Sequence, residues 1–264
     1  GMSGHYRDQL ADQPLGVDYL AVSYDTAPAA DWWRPAPGVS WQWQLSGTLD
    51  TSLDVEMYDI DLFDTPQATI DALHADGRIV VCYFSAGSWE NWRPDAADFP
   101  AAVRGRDLDG WPGETWLDVS DLATLGPLME ARLDLAAAKG CDAVEPDNVD
   151  GYTNASGFDL TYDHQIAYNR FLAGAAHARG LSVGLKNDVD QVADLVDDFD
   201  WALNEECFAF DECETLLPFI EAGKAVFTVE YSGSLASFCD QANAWDFDTL
   251  KKRLSLNAWR QSCR

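Results

Sequence analysis

Four times along this chain a helical stretch stops at a glycine and an apolar run begins within two residues. Gly77 leads into residues 78–84, Gly140 into 141–144, Gly180 into 181–185 and Gly223 into 225–229. Glycine supplies the left-handed backbone that ends a helix without strain. The runs that follow are short, continuous and apolar, as parallel strands covered on both faces are. Helices are expected from Thr65-Pro66 to about Gly77 and over about 121–139, 163–179, 188–198 and 213–222. Further strands are expected at 41–45, 55–60 and 199–204, with 254–256 as the candidate for an eighth. Repeated β-α units give a barrel or an open doubly wound sheet. No glycine-rich phosphate loop follows the first strand, which favours the barrel. The chain has 264 residues, close to the roughly 250 of a (β/α)8 barrel. The expectation is one α/β domain: an irregular N-terminal arm over 1–38, with Pro28, Pro35 and Pro37, then a TIM-type (β/α)8 barrel over 39–264 whose eighth unit is less regular.

The net charge is -28. That argues against nucleic acid, whose phosphates need a basic patch. It suits a solvated acidic surface or attraction of a cationic ligand. No run approaches the ~20 apolar residues of a membrane span, and no leader is visible. Of six cysteines, Cys82 and Cys141 fall inside apolar runs and read as buried strand residues. The other four fit two disulfides, Cys207–Cys213 and Cys239–Cys263, which imply an exported, oxidising setting. The four histidines are scattered and no C-x-x-C occurs, so no metal or other cofactor is expected.

The active site of such a fold lies at the C-terminal ends of its strands, and here those ends are polar. They carry Trp43 and Gln44; Asp59 and Asp61; Tyr83, Ser85 and Glu90; Glu145, Asp147, Asn148 and Asp150; Lys186, Asn187 and Asp188; Asn204, Glu205 and Glu206; Glu230 and Tyr231. Any one of these is more often solvated than functional, but their occurrence at nearly every strand end suggests a carboxylate pair for acid/base or nucleophilic work on a sugar. Trp41, Trp43, Trp89, Trp92, Trp111 and Trp116 lie on the first strand or on loops, where some serve packing and others suit sugar faces. Residues 145–151 do not match a calcium loop, since Gly151 falls one position late. A G-x-S-x-G elbow is absent.

Eight stretches resemble the endo-α-1,4-polygalactosaminidase family, glycoside hydrolase family 114. They are Trp41-Gln42-Trp43-Gln44-Leu45, Tyr58-Asp59-Ile60-Asp61, Cys82-Tyr83-Phe84-Ser85-Ala86-Gly87, Gly110-Trp111-Pro112-Gly113-Glu114, Glu145-Pro146-Asp147-Asn148-Val149-Asp150-Gly151-Tyr152, Gly184-Leu185-Lys186-Asn187, Asn204-Glu205-Glu206-Cys207 and Val229-Glu230-Tyr231. The resemblance implies a (β/α)8 barrel that hydrolyses α-1,4-linked galactosamine polymers, with Asp147 and Glu205 as the catalytic pair. Alternation along a strand puts Glu145 with Asp147, and Glu205 with Trp201 and Leu203. It weakens past the strand end, which leaves Glu206 open as the acid.

The expected mechanism is retaining: Asp147 attacks, and Glu205 protonates the leaving oxygen and then activates water. The nucleophile has to stay ionised and the acid has to hold a proton. Galactosamine polymers without N-acetyl groups are cationic, so Asp59, Asp61, Glu90, Glu145, Asp150 and Glu230 are candidates to pair with their amines. Lys186 either positions Asp147 or is a plain structural ion pair. Trp43, Asn187 and Glu206 are further cleft candidates, and Tyr83, Tyr152 and Tyr231 are candidate donors or stacking platforms. The expected partner is a cationic polysaccharide, met by a monomer that binds no nucleic acid and no membrane. Two other readings differ in what they predict. A carbohydrate-binding protein on an inactive barrel would bind without hydrolysis. A glycosidase for a neutral α-galactoside would show no salt-dependent preference for amino sugars.

Overall fold

The computed structural model describes residues 31–264. Most of the expected arm over 1–38, Pro28 included, lies outside the described residues; 31–38 forms no helix or strand. β1 (Trp41–Gln44), β2 (Met57–Asp61), α1 (Gln67–Ala75) and β3 (Ile79–Ser85) come first. Then β4 (Ser88–Glu90), β5 (Arg104–Asp107) and β6 (Glu114–Leu117) form a separate antiparallel sheet in the order β4-β6-β5. The chain continues through α2 (Leu122–Lys139), β7 (Ala143–Asp147), α3 (Tyr162–His177), β8 (Ser182–Lys186), α4 (Val192–Leu195) and β9 (Trp201–Glu205). It ends with α5 (Leu217–Glu221), β10 (Val226–Glu230), α6 (Leu235–Ala244), β11 (Asp248–Lys251) and β12 (Gln261–Ser262).

The main sheet runs β1-β2-β3-β7-β8-β9-β10-β11-β12. Every pair from β1 to β11 is parallel, and only β12 is antiparallel. The sheet curls until β1 stands beside β11. Trp41 Nε1 donates to the Asp248 carbonyl at 2.9 Å, the amides of Gly38 and Val39 donate to the Asp248 carboxylate, and the Leu45 amide reaches the Leu256 carbonyl at 3.0 Å.

Alternation along these strands builds two cores. Trp41, Trp43, Met57, Val81, Ala143, Trp201, Leu203, Phe227, Val229 and Leu250 fill the concave side. Tyr58, Ile60, Val80, Phe84, Val144, Val183, Leu185 and Val226 face the helices. The concave side is filled by side chains rather than left as a channel. A Cβ on Gly184 would stand 2.3 Å from the Trp201 ring, so the indole occupies the space that glycine leaves. The long helices end as the sequence implies: α2 opens on the Asp121 carboxylate, which accepts from the Thr124 amide, and stops at Gly140 with φ 79°.

Several expectations need correction. The eighth parallel strand is β11, Asp248–Lys251, and Leu254-Ser255-Leu256 is loop. The helix expected over 188–198 shrinks to a 3-10 turn and α4, and that over 213–222 to a 3-10 turn and α5. Trp89 and Trp116 lie on β4 and β6 rather than on loops. Cys207–Cys213 and Cys239–Cys263 are paired, but so are Cys82 and Cys141. β3 and β7 are neighbours with Cys82 opposite Val144, which brings Cys141, just ahead of β7, within 6.0 Å Cα to Cα. This bridge spans 59 residues, enough for about 4 kcal/mol in a chain-entropy account. No helix among the described residues is long and apolar enough to cross a membrane.

Candidate active site

A cleft of about 410 Å³ opens at the C-terminal ends of the parallel strands. Its floor continues the concave-side register. Val81 is followed two residues on by Tyr83, Ala143 by Glu145 and Asp147, Gly184 by Lys186, Leu203 by Glu205 and Val229 by Tyr231. The positions that are apolar deep in the sheet become polar at its rim. Tyr83 stands opposite Glu145, and Ser85 opposite Asp147.

Lys186 is the hub. Its side chain is fully buried and lies 4.6 Å over the Trp43 ring. Its Nζ is 2.8 Å from Glu145 Oε1, 3.2 Å from Asp147 Oδ1 and 3.4 Å from Glu205 Oε2. Burial alone would push its pKa down, but Asp147, Glu145 and Glu205 outweigh burial and hold it well above the ordinary lysine value. Asp147 also accepts from its neighbour, the Asn148 amide, at 2.7 Å and from Tyr83 OH at 3.0 Å. Glu205 accepts from Tyr231 OH and, at 3.3 Å, from Asn187 Nδ2, while its own amide donates to Asn187 Oδ1 at 2.9 Å. Beneath them the carboxyl groups of Asp59 and Glu145 face one another. Both oxygens of Asp59 and Oε2 of Glu145 are buried with no N–H or O–H donor in reach. A proton on Asp59 resolves this contact between carboxyl groups. Burial, then the charge of Glu145, raises Asp59 well above the carboxylate range, and burial raises Glu145 to about 7 against the pull of Lys186.

The residue after each of three rim side chains sits in the left-handed region: Asn148 after Asp147 (φ 61°), Asn187 after Lys186 (φ 53°) and Glu206 after Glu205 (φ 61°). Such strain outside glycine collects at sites whose surroundings over-determine it. Of the two glutamates at the end of β9, Glu205 lines the cleft and Glu206 does not.

Of the residues expected at the site, Trp43, Asp61, Tyr83, Glu90, Asp147, Asn187, Glu205 and Tyr231 line the cleft together. Asp59, Glu145 and Lys186 lie beneath it, fully buried. Glu230, Asp150 and Tyr152 do not line it. Glu230 accepts from the Phe208 amide at 2.9 Å and so secures the loop after β9. Asp150 lies close enough to Asp147 that burial, then that charge, raises it to about 6. Tyr152 packs edge-on against Tyr162 at 5.6 Å. Asp61 and Glu90 line the cleft but are already paired. Arg93 donates to both Asp61 oxygens at 3.0 and 2.8 Å and to Glu90 Oε2 at 2.8 Å.

Sequence reasoning gave no role to Arg93, Glu114 or Asp64. Arg93 carries a signal, as a cation inside an acidic, tryptophan-rich run. Glu114 lies in a stretch already noted for its aromatics, but nothing in the sequence separates it from the other acids. Trp92 and Trp111 stand half-exposed on the cleft wall, as rings able to stack on sugar faces do. Among the described residues no group of three or more His, Cys, Asp or Glu side chains is arranged to hold a metal ion.

The glycoside-hydrolase family GH114 model matches residues 22–264. The chain belongs to glycoside-hydrolase family GH114. The enzyme is 46% identical to Ega3 of Aspergillus fumigatus, a protein solved in complex with galactosamine; the match covers 88% of this chain and 97% of that one, with a TM-score of 0.84. The glycoside hydrolase domain of PelA from Pseudomonas aeruginosa shares the fold at 12% identity, with a TM-score of 0.65, 86% of this chain and 99% of that one covered. A search of curated proteins gives no match.

Proposed function

We propose that this glycoside hydrolase cleaves α-1,4-linked, galactosamine-rich polymers within the chain and with retention, using Asp147 and Glu205. The observation that carries this reading is the Lys186 ammonium, which touches both carboxylates in the floor of the cleft. With legs of 3.2 and 3.4 Å, the two nearest oxygens stand no more than about 6.6 Å apart, a ceiling that admits the ~5–5.5 Å of retaining pairs. The similarity to a galactosamine-bound protein supports the substrate class. The open cleft with Trp92 and Trp111 on its wall suits a long chain passing through.

Asp147 accepts from the Asn148 amide and Tyr83 OH at 2.7 and 3.0 Å, and it lies slightly nearer the Lys186 ammonium than Glu205 does, 3.2 against 3.4 Å. We read Asp147, on the β7 end and in contact with the ammonium, as the nucleophile. The Asn187 and Lys186 contacts to Glu205 are longer, and its side chain is more exposed, 24% against 16%. We read Glu205, the more exposed of the two, as the acid and base. In the first step an Asp147 oxygen bonds to the anomeric carbon. The glycosidic bond breaks, and its electron pair takes the Glu205 proton. In the second step Glu205 takes a proton from water, the water oxygen bonds to the anomeric carbon, and Asp147 leaves as carboxylate. The barrel is read as closed and as one catalytic domain over 39–264, preceded by an arm over 1–38. Three disulfides support an oxidising, extracytoplasmic setting.

The test is reducing-end release from α-1,4-galactosamine polymer. Wild type should be active. Asp147→Asn and Glu205→Gln should each lose at least about 10³-fold with Tm preserved. Wild type that binds the polymer without cleaving it overturns the reading; full activity in Glu205→Gln moves the acid to Glu206.

A further inference from the structure

We propose that Glu114 reads the C2 ammonium of the sugar held in the cleft, and so sets the preference for amino sugars over their N-acetylated forms. This rests on the reading of the enzyme as a galactosamine-polymer hydrolase. Six acids line the cleft: Asp61, Asp64, Glu90, Glu114, Asp147 and Glu205. Asp147 and Glu205 are committed to Lys186 and the chemistry. Asp61 and Glu90 are committed to Arg93, bidentately in the case of Asp61. The Asp64 side chain is 80% exposed and sits 3.6 Å from Arg93, where water screens any pairing with a ligand. Glu114 remains. It is 7% exposed, it lines the cleft, and it has no cationic partner among the described residues.

Its position fits the C2 substituent. Glu114 Oε2 accepts from Ser88 Oγ at 2.7 Å, Ser88 Oγ lies 2.6 Å from Ser85 Oγ, and Ser85 Oγ accepts from Asn148 Nδ2 at 2.8 Å. Ser85 is opposite Asp147 in the sheet, and Asn148 follows it in the chain. This hydroxyl relay fixes Glu114 one layer out from the nucleophile. The C2 nitrogen is bonded to the carbon next to the one that Asp147 attacks, so it projects one layer out from the reacting centre. Oε2 is occupied by Ser88, which leaves Oε1 to meet a ligand. Burial, then the charges of Glu90 and Asp147, pushes Glu114 up to about 7 despite its bond to Ser88. An incoming ammonium relieves that crowding of charge. An acetamido group brings no charge with which to do so, and a buried charged pair is worth more than a neutral hydrogen bond.

The experiment compares wild type, Glu114→Gln and Glu114→Ala on two hexamers, one of α-1,4-galactosamine and one of α-1,4-N-acetylgalactosamine. Tm is recorded for each variant, and the comparison uses whichever folds. Removing the charge should raise KM for the galactosamine hexamer roughly ten-fold. It should leave kcat within about three-fold and KM for the acetylated hexamer within about two-fold. A purely structural role would move both substrates together. A wild type that cleaves the galactosamine hexamer, with its preference kept in a folded variant, overturns the proposal alone. A wild type that cleaves neither hexamer overturns the reading of the enzyme and this proposal with it.

Discussion

The two ends of the parallel sheet use carboxylates in opposite ways. At the N-terminal end, Asp142 accepts from the Val80 amide and pairs with His74 at 2.9 Å. Asp200 accepts from the Val183 amide and from Trp32 Nε1, each at 3.0 Å, and pairs with His177 at 2.8 Å. Asp248 accepts from Gly38, Val39 and Arg264. Each acid there ties the start of a strand to another segment and has several donors. At the C-terminal end, Glu145, Asp147 and Glu205 share one ammonium, Asp59 lies beneath them, and three buried oxygens of Asp59 and Glu145 have no donor at all. The acids at one end serve as staples. Those at the other are crowded together, the arrangement that tunes protons for catalysis.

Removing the ammonium should break this contrast most severely. Lys186→Met leaves three carboxyl groups facing one another without a cation. It should cost at least roughly 3 kcal/mol of stability and at least about 10²-fold in rate, read by thermal unfolding and polymer hydrolysis.

At the same end, Asp59→Asn should act more mildly. Its amide replaces the proton donated to Glu145, so activity should stay within about three-fold. Its stability effect depends on pH. A carboxyl whose folded pKa is raised contributes stability that is present below its unfolded value and lost as pH rises through the folded one. Asp59 is raised, as are Glu145 and Glu114 to about 7, Asp150 to about 6 and Asp188 to about 9. Wild type should therefore unfold at a higher temperature near pH 5 than near pH 8. Asp59→Asn should flatten that decline.

Asp200→Asn probes the other end. Burial works against its charge, but His177, Trp32 and the Val183 amide outweigh burial and lower its pKa. Its stability is present above the unfolded carboxyl value and lost as pH falls through the folded one. The variant should lose roughly 1–2 kcal/mol at neutral pH, show a flatter acid limb of Tm against pH, and keep wild-type kcat. Loss of kcat with Tm unchanged would erase the distinction between the ends.

The candidate site was legible in the sequence wherever it continued the strand register. Period-two alternation put Asp147 with Glu145 and Glu205 with Trp201, and the structure has these residues on the concave side or at its rim. The insert from β4 to β6 was not legible. Its strands are three or four residues long and lie among glycine, proline and tryptophan, which read as loop. β11 is short and polar at three of its four positions, Asp-Thr-Leu-Lys, with nothing to mark it as a strand. The Cys82–Cys141 bridge depends on β3 pairing with β7, a contact between segments 59 residues apart. Sequence also shows which residues are acidic but not which already hold a cation. Asp61 and Glu90 turned out to be bound to Arg93, and Glu114 unpaired with any cation among the described residues.

The central claim is that Asp147 attacks the anomeric carbon while Glu205 manages the proton. Incubating Glu205→Gln with α-galactosaminyl fluoride tests it most directly, because fluoride leaves without an acid while the second step still lacks its base. Mass spectrometry of the digested protein should find one galactosaminyl adduct, on Asp147. An adduct on another carboxylate, or none alongside a product of inverted configuration, would contradict the account.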